Sequence, residues 1–135
     1  MSYVDMEAVP GSRIDKPFER ELRVIMSPQT HEDVTLFTLM MSILAPNGGC
    51  TDFHAHEGSG ELVVVLGGRG RAFMLGKEYE LRPGIAIYAP PGVTHKTLNT
   101  GNEPLKLACV FVPPVETSYV GDSQAAARGV EEEGR

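Results

Sequence analysis

The stretch "NGGCTDFHAHEGSGELVVVLGG", residues 47–68, sets His54 and His56 two positions apart, with Glu61 five residues further on. On an extended strand, residues two apart point to the same face. The two imidazoles would then project together, about 6 to 7 Å apart along one side of the strand. Glu61 lies beyond the turn signal "HEGSG", so it starts a following strand beside the first. A second stretch, "PGIAIYAPPGVTHKTLN" (83–99), brings His95 to the start of a later strand. Taken alone, a His-x-His pair is more often a surface feature than a ligand pair, and Glu61 or His95 alone would read as a solvated charge or a turn residue. The chain has only four histidines, however, and three of them fall in these two glycine- and proline-framed segments. Three neutral imidazoles and a carboxylate form a borderline donor set, suited to one divalent transition metal: Mn, Fe, Co, Ni, Cu or Zn. Such a set leaves one or two coordination positions open, which separates a reactive site from a sealed structural one. The fourth histidine, His31 in "SPQTHED", reads as an exposed turn residue.

Around these segments, short β-rich runs alternate with turn signals such as "APNGG", "LGGRG", "RPG" and "NTGNEP". Strands are expected at 20–26, 34–44, 51–56, 60–68, 70–75, 77–82, 85–89, 94–100 and 104–114. No window in this region carries a 3.6-residue apolar period, so the fold class is all-β, an antiparallel sandwich or barrel. Residues 1–18 read as an N-terminal arm, 19–116 as the barrel domain, and 117–135 as a flexible acidic tail in which "SQAAAR" has the composition for one helical turn.

Composition narrows the function classes. The chain has 135 residues, 41% hydrophobic and 22% charged, which is ordinary for a soluble single domain. The net charge of −6 argues against nucleic acid, whose phosphates call for clustered Lys and Arg. The longest apolar runs are too short to span a bilayer, and the N-terminus lacks a signal-peptide core, so no membrane partner and a cytoplasmic location are expected. Cys50 and Cys109 have no zinc-ribbon spacing and read as free thiols.

The two motifs resemble those of the cupin superfamily. The pattern G-x5-HxH-x4-E-x6-G is met by Gly48, His54, His56, Glu61 and Gly68, and G-x5-PxG-x2-H-x3-N by Gly84, Pro90, Gly92, His95 and Asn99. Every defining position is filled, so the chain is similar to a small single-domain cupin. That resemblance implies a double-stranded β-helix, or jelly-roll barrel, with His54, His56, Glu61 and His95 as ligands of one metal inside it. Glu61, the only anionic ligand, is the candidate catalytic residue. The glycines fall where turns need positive φ or close backbone approach.

Strand parity then supplies candidate pocket walls. Asp52 shares the face of His54 and His56, Val63 that of Glu61, and Thr97 that of His95. On the last strand Leu107, Cys109 and Phe111 face inward while Lys106 faces solvent. Met40 is a further candidate, although core filling is the commoner role of methionine. Arg20 or Arg23 would meet a carboxylate if one turned inward, but a surface charge is the ordinary reading. The expectation is a mostly apolar pocket with a metal at its base, taking a small oxygen-chelating molecule that is a carboxylate or sugar-like. The resemblance implies an enzyme of dioxygenase, isomerase or lyase type, or alternatively a non-catalytic metal- or ligand-binding module. Surplus apolar strands such as "LFTLMM" and "LACVFV" suggest a homodimer, to which the N-terminal arm would add a strand on the partner's sheet.

Overall fold

A computed structural model describes residues 1–117. Its nine strands are β1 (Ser12–Ile14), β2 (Arg20–Met26), β3 (Thr38–Leu44), β4 (Gly60–Gly67), β5 (Gly70–Met74), β6 (Lys77–Leu81), β7 (Ala86–Ala89), β8 (His95–Asn99) and β9 (Leu105–Val112). They form two antiparallel sheets, one ordered β1-β2-β3-β9-β4-β7 and the other β6-β5-β8. This is the all-β architecture expected from the spacing of strands and turns, in the jelly-roll form that the cupin resemblance implies. Among the described residues the helical content is one 3-10 turn, Met6–Ala8, whose first turn is capped by the Asp5 carboxylate accepting from Glu7 N–H at 3.1 Å. No helix among them is long and apolar enough to cross a membrane.

Alternation along the strands makes the interior. On β9 Leu105, Leu107, Cys109 and Phe111 are buried while Lys106 is not, and on β4 Glu61, Val63 and Val65 are buried while Leu62 and Leu66 are exposed. Leu44, Leu81 and Leu105 are fully buried in the core, each stabilising the fold by about 1.5–3 kcal/mol relative to exposure. The turn after β4 depends on Gly68. Its φ is +85°, and an added Cβ would lie 2.4 Å from the Pro104 carbonyl oxygen.

Four local expectations are corrected. The strand expected from residue 34 begins at Thr38, because Ser27–Val34 folds into turns in which His31 N–H donates to Ser27 O and Val34 N–H to His31 O. The arm, expected to add a strand on a partner's sheet, pairs within its own chain: β1 runs against β2, and Ile14 is buried in the core. Arg20 is buried, not a surface charge, and its guanidinium donates to the carbonyls of Phe18 (2.9 Å) and Cys50 (3.3 Å). Arg23 is half-buried and pairs with Glu21 at 2.8 Å. Residues 51–56, finally, are not a regular strand. They reach the barrel by two isolated bridges, Cys50 to Leu98 and His54 to His95. Between those bridges one side advances four residues and the other three. The extra residue is a bulge, which reverses parity beyond it.

At its far end the described chain stops with Thr117, which is buried and donates its hydroxyl to Gln29. The rest of the acidic tail, with its expected helical turn, lies outside the described residues.

Candidate metal centre

The bulge decides which side chains enter the barrel from the first motif. Thr51 and His54, three positions apart, are both buried, whereas Asp52 and Phe53 between them are exposed. His54 and His95 then form a hydrogen-bonded antiparallel pair, N–H to O at 2.9 and 2.8 Å. The second motif is tied to the first by Gly92, whose N–H donates to His56 O at 3.0 Å from a backbone with φ of +78°. These backbone bonds bring four side chains from separate parts of the sequence to one point.

At that point His54, His56, Glu61 and His95, all buried, offer donor atoms that lie within 4.8 Å of one another. The carboxylate is the centre of the group. Glu61 Oε1 lies 2.9 Å from His95 Nε2, 3.4 Å from His56 Nε2 and 4.0 Å from His54 Nε2. Two rings are oriented from behind. His54 Nδ1 lies 2.8 Å from Asp52 O, and His95 Nδ1 lies 3.0 Å from Val93 O. A ring nitrogen facing a carbonyl must be the protonated one, which leaves Nε2 to face a bound ion with its lone pair or, in the absence of an ion, to carry a second proton and donate it to Glu61, as His95 does at 2.9 Å. His56 is held differently, by an edge-on contact with the Phe111 ring at 4.9 Å between centroids.

The electrostatics follow the distances. Burial alone would raise the Glu61 carboxyl, but hydrogen bonds from His56 and His95 and the charges of His95 and His54 hold it well below the usual carboxylate range. Burial lowers His54 to about 4, because Glu61, at 4.0 Å, only partly opposes it. Burial also opposes a proton on His95, yet the direct hydrogen bond and charge of Glu61 raise it above the ordinary histidine value. Cys109 is pushed well above the ordinary thiol value, first by burial and then by the charge of Glu61. The site is thus an ionised carboxylate set among imidazoles in a low-dielectric pocket. A tight, buried N3O donor set of this kind fits a divalent transition ion.

The group opens into a cavity of about 60 Å3. Its walls include Val63, Thr97, Leu107, Cys109 and Phe111, candidates from strand parity, and Met40, the further candidate, together with Leu22, Ser42 and Thr51. Asp52 is the exception. The bulge turns its side chain out to solvent, where it accepts from Phe53 N–H at 2.8 Å, and only its backbone carbonyl serves the site, behind His54. Ser42 was within reach of the same argument, since it lies two residues from Met40 on β3. Thr51 was not, because no sequence signal marks the bulge. Arg20 and Arg23 are not among the cavity walls.

Comparison with known proteins agrees with this geometry. The family model for the cupin domain matches residues 40–111, and the chain belongs to that family. An uncharacterized protein of Methanocaldococcus jannaschii is 33% identical over 93 residues, covering 69% of this chain and 73% of that one. Glucose-6-phosphate isomerase of Pyrococcus horikoshii is 34% identical over 64 residues, 44% of this chain, so the chain spans only 34% of the length of that enzyme. Among solved structures, a predicted oxalate decarboxylase of Thermotoga maritima superposes with a TM-score of 0.73 at 24% identity, covering 83% of this chain and 99% of that one. At that identity the likeness speaks for the fold alone.

Proposed function

We propose that this cupin is a metal-dependent enzyme acting on a small oxygen-chelating substrate, by chemistry of the dioxygenase, isomerase or lyase type. The observation that carries the proposal is the buried His54–His56–Glu61–His95 group opening onto a mostly apolar cavity. A sealed structural site would have its donors closed off by packing instead. A divalent ion held there would polarise a bound carbonyl or carboxylate oxygen. The protein's own residues supply the rest. The backbone carbonyls of Asp52 and Val93 fix the His54 and His95 rings, Glu61 is the one carboxylate placed to accept a substrate proton, and Leu22, Met40, Leu107 and Phe111 exclude water.

Cavity size and chemistry favour one kind of substrate. A volume of about 60 Å3 is several times the ~10–15 Å3 a single water needs, which leaves room for a compact molecule. None of its walls is Lys or Arg, so a bound divalent ion, already partly neutralised by Glu61, would be the main counter-charge for a substrate, which suits a singly charged carboxylate better than a doubly charged phosphate. A compact carboxylate or hydroxy-carbonyl compound fits better than the sugar phosphate named for the isomerase relatives. The test is to incubate metal-loaded protein with oxalate, pyruvate, a short hydroxy acid and glucose 6-phosphate, following each by NMR. Turnover of one of the small acids and none of the sugar phosphate is expected. Tight binding without turnover of any would identify a binding module instead.

The same proposal includes a second copy of the chain. The outward face of β9, β4 and β7 carries the exposed apolar residues Leu62, Leu66, Tyr88 and Val112, a surface suited to covering by its own duplicate. Light scattering at micromolar concentration tests this, with a dimer expected and a monomer contradicting it.

A further inference from the structure

The cavity has a second polar end, away from the four ligand residues. Asn99, the last residue of β8, donates to the carbonyl of Leu44, the last residue of β3, at 3.0 Å and so ties the two sheets together there. Two residues back on each strand, on the same inward faces, stand Thr97 and Ser42. Thr51 joins them: its Oγ1 accepts from Thr97 N–H at 2.9 Å and lies 3.3 Å from Thr97 Oγ1. All three residues are buried and line the cavity. The register places Ser42 on the rung of Leu107, two inward rungs from the Glu61–Phe111 pair, with Met40, Cys109 and Val63 between. Ser42 differs from the two threonines. It is 7% exposed, on the face of the core residues Met40 and Leu44, yet its Oγ has no hydrogen-bond partner among the described residues. Every fully enclosed side-chain oxygen or nitrogen among those residues does have one. The Ser42 hydroxyl is therefore not closed off by packing, and the space it meets is the cavity. The threonine pair adds a donor, because two hydroxyls sharing one contact leave one hydrogen over whichever of them donates.

We infer that Ser42 is a specificity-determining residue: its hydroxyl, beside the Thr51–Thr97 pair, receives an oxygen at the far end of a substrate whose near end meets the ion. A buried hydroxyl without a partner is unfavourable, and a ligand oxygen that pairs with it removes that penalty only for ligands that carry one. The substrate class is then a short two-ended oxygen compound, such as a hydroxy acid whose hydroxyl is remote from its carboxylate, rather than a plain alkanoate. The inference rests on the metal-site reading and narrows the substrate proposed for it.

The test titrates the full-length chain first with Co(II) alone, then, in its Co(II) form, with 4-hydroxybutyrate and with pentanoate, which carries a methyl in place of the terminal hydroxyl. Wild type should bind the hydroxy acid about 10-fold more tightly than pentanoate. Ser42→Ala should keep the melting temperature and the Co(II) affinity, because the hydroxyl serves no protein partner among the described residues, while its preference between the two acids falls to within about 2-fold. An unchanged preference in Ser42→Ala would overturn the inference, as would equal binding of the two acids, or binding of neither, by the wild-type Co(II) form. A strongly destabilised Ser42→Ala would also overturn it, since the hydroxyl would then belong to the scaffold. A wild type that takes up no Co(II) in the first titration would defeat the metal-site reading itself and the inference with it, a failure recognisable before any acid is added.

Discussion

The two ends of β8 bury polar side chains for opposite purposes. At one end Asn99 is 1% exposed and each of its polar atoms is engaged by backbone: Nδ2 donates to Leu44 O (3.0 Å) and Glu103 O (2.8 Å), and Oδ1 accepts from Gly101 N–H (2.9 Å). Arg20, which pairs with Leu44 across β2 and β3, likewise donates to backbone carbonyls. At the other end, four residues earlier, His95 gives only Nδ1 to the backbone and turns Nε2 on Glu61. Asn99 and His95 belong to one sequence motif, yet the first closes the barrel and the second equips it. A buried polar group fully answered by backbone is scaffold, whereas one answered mainly by other side chains around a shared centre is a site.

The comparison breaks most visibly through Asn99. Replacing it with Ala leaves two carbonyls and one N–H without their partner, at about 1 kcal/mol each. Asn99→Ala should therefore destabilise the metal-free protein by about 3 kcal/mol in urea unfolding, while metal affinity of the folded fraction stays within about 3-fold. A stability loss well under 1 kcal/mol would place Asn99 outside the scaffold.

Next in size is a pH effect at the site end. His54 is held at about 4 when folded, against about 6.5 in an unfolded chain. Between those values the unfolded chain binds a proton that the folded ring refuses, so metal-free stability should fall by about 2 kcal/mol as the pH drops from 6.5 to 4. His95 is shifted the other way, so its contribution is complete below 6.5 and is lost as the pH rises through its folded value. His54→Asn should flatten the acid limb of a stability–pH curve and leave the alkaline limb unchanged. An acid limb as steep as that of wild type would contradict this.

How much of this the sequence discloses depends on regularity. The spacing of His54, His56, Glu61 and His95 survives into space because backbone pairing holds each of them: His54 to His95, His56 to Gly92, and Glu61 to Ala89 and Phe111 on either side of β4. Parity holds along β4, β8 and β9, so Val63, Thr97, Leu107, Cys109 and Phe111 line the cavity. It fails at Asp52 because one extra residue between two bridges carries no compositional mark. Arg20 was illegible for another reason: its partners are carbonyls, which no residue pattern announces. The arm's β1 was hidden by its length of three residues, with only Ile14 buried among them.

Smaller effects sharpen the site end. His56→Ala removes a neutral donor and should weaken a divalent ion by about 10-fold or more in a titration. Glu61→Gln keeps an oxygen at the centre and should retain metal within several-fold, while turnover on any accepted substrate changes far more. Equal, undiminished metal binding in both variants would remove His56 and Glu61 from the ligand set.

The central claim, that the His95 end of β8 is built for an ion, is tested most directly by elemental analysis of the purified protein prepared without a histidine tag. About one divalent transition metal per chain is expected, either as isolated or after addition of Mn, Fe, Ni or Zn. Less than about a tenth of an equivalent after every addition would contradict it, and the buried cluster would then be scaffold like Asn99.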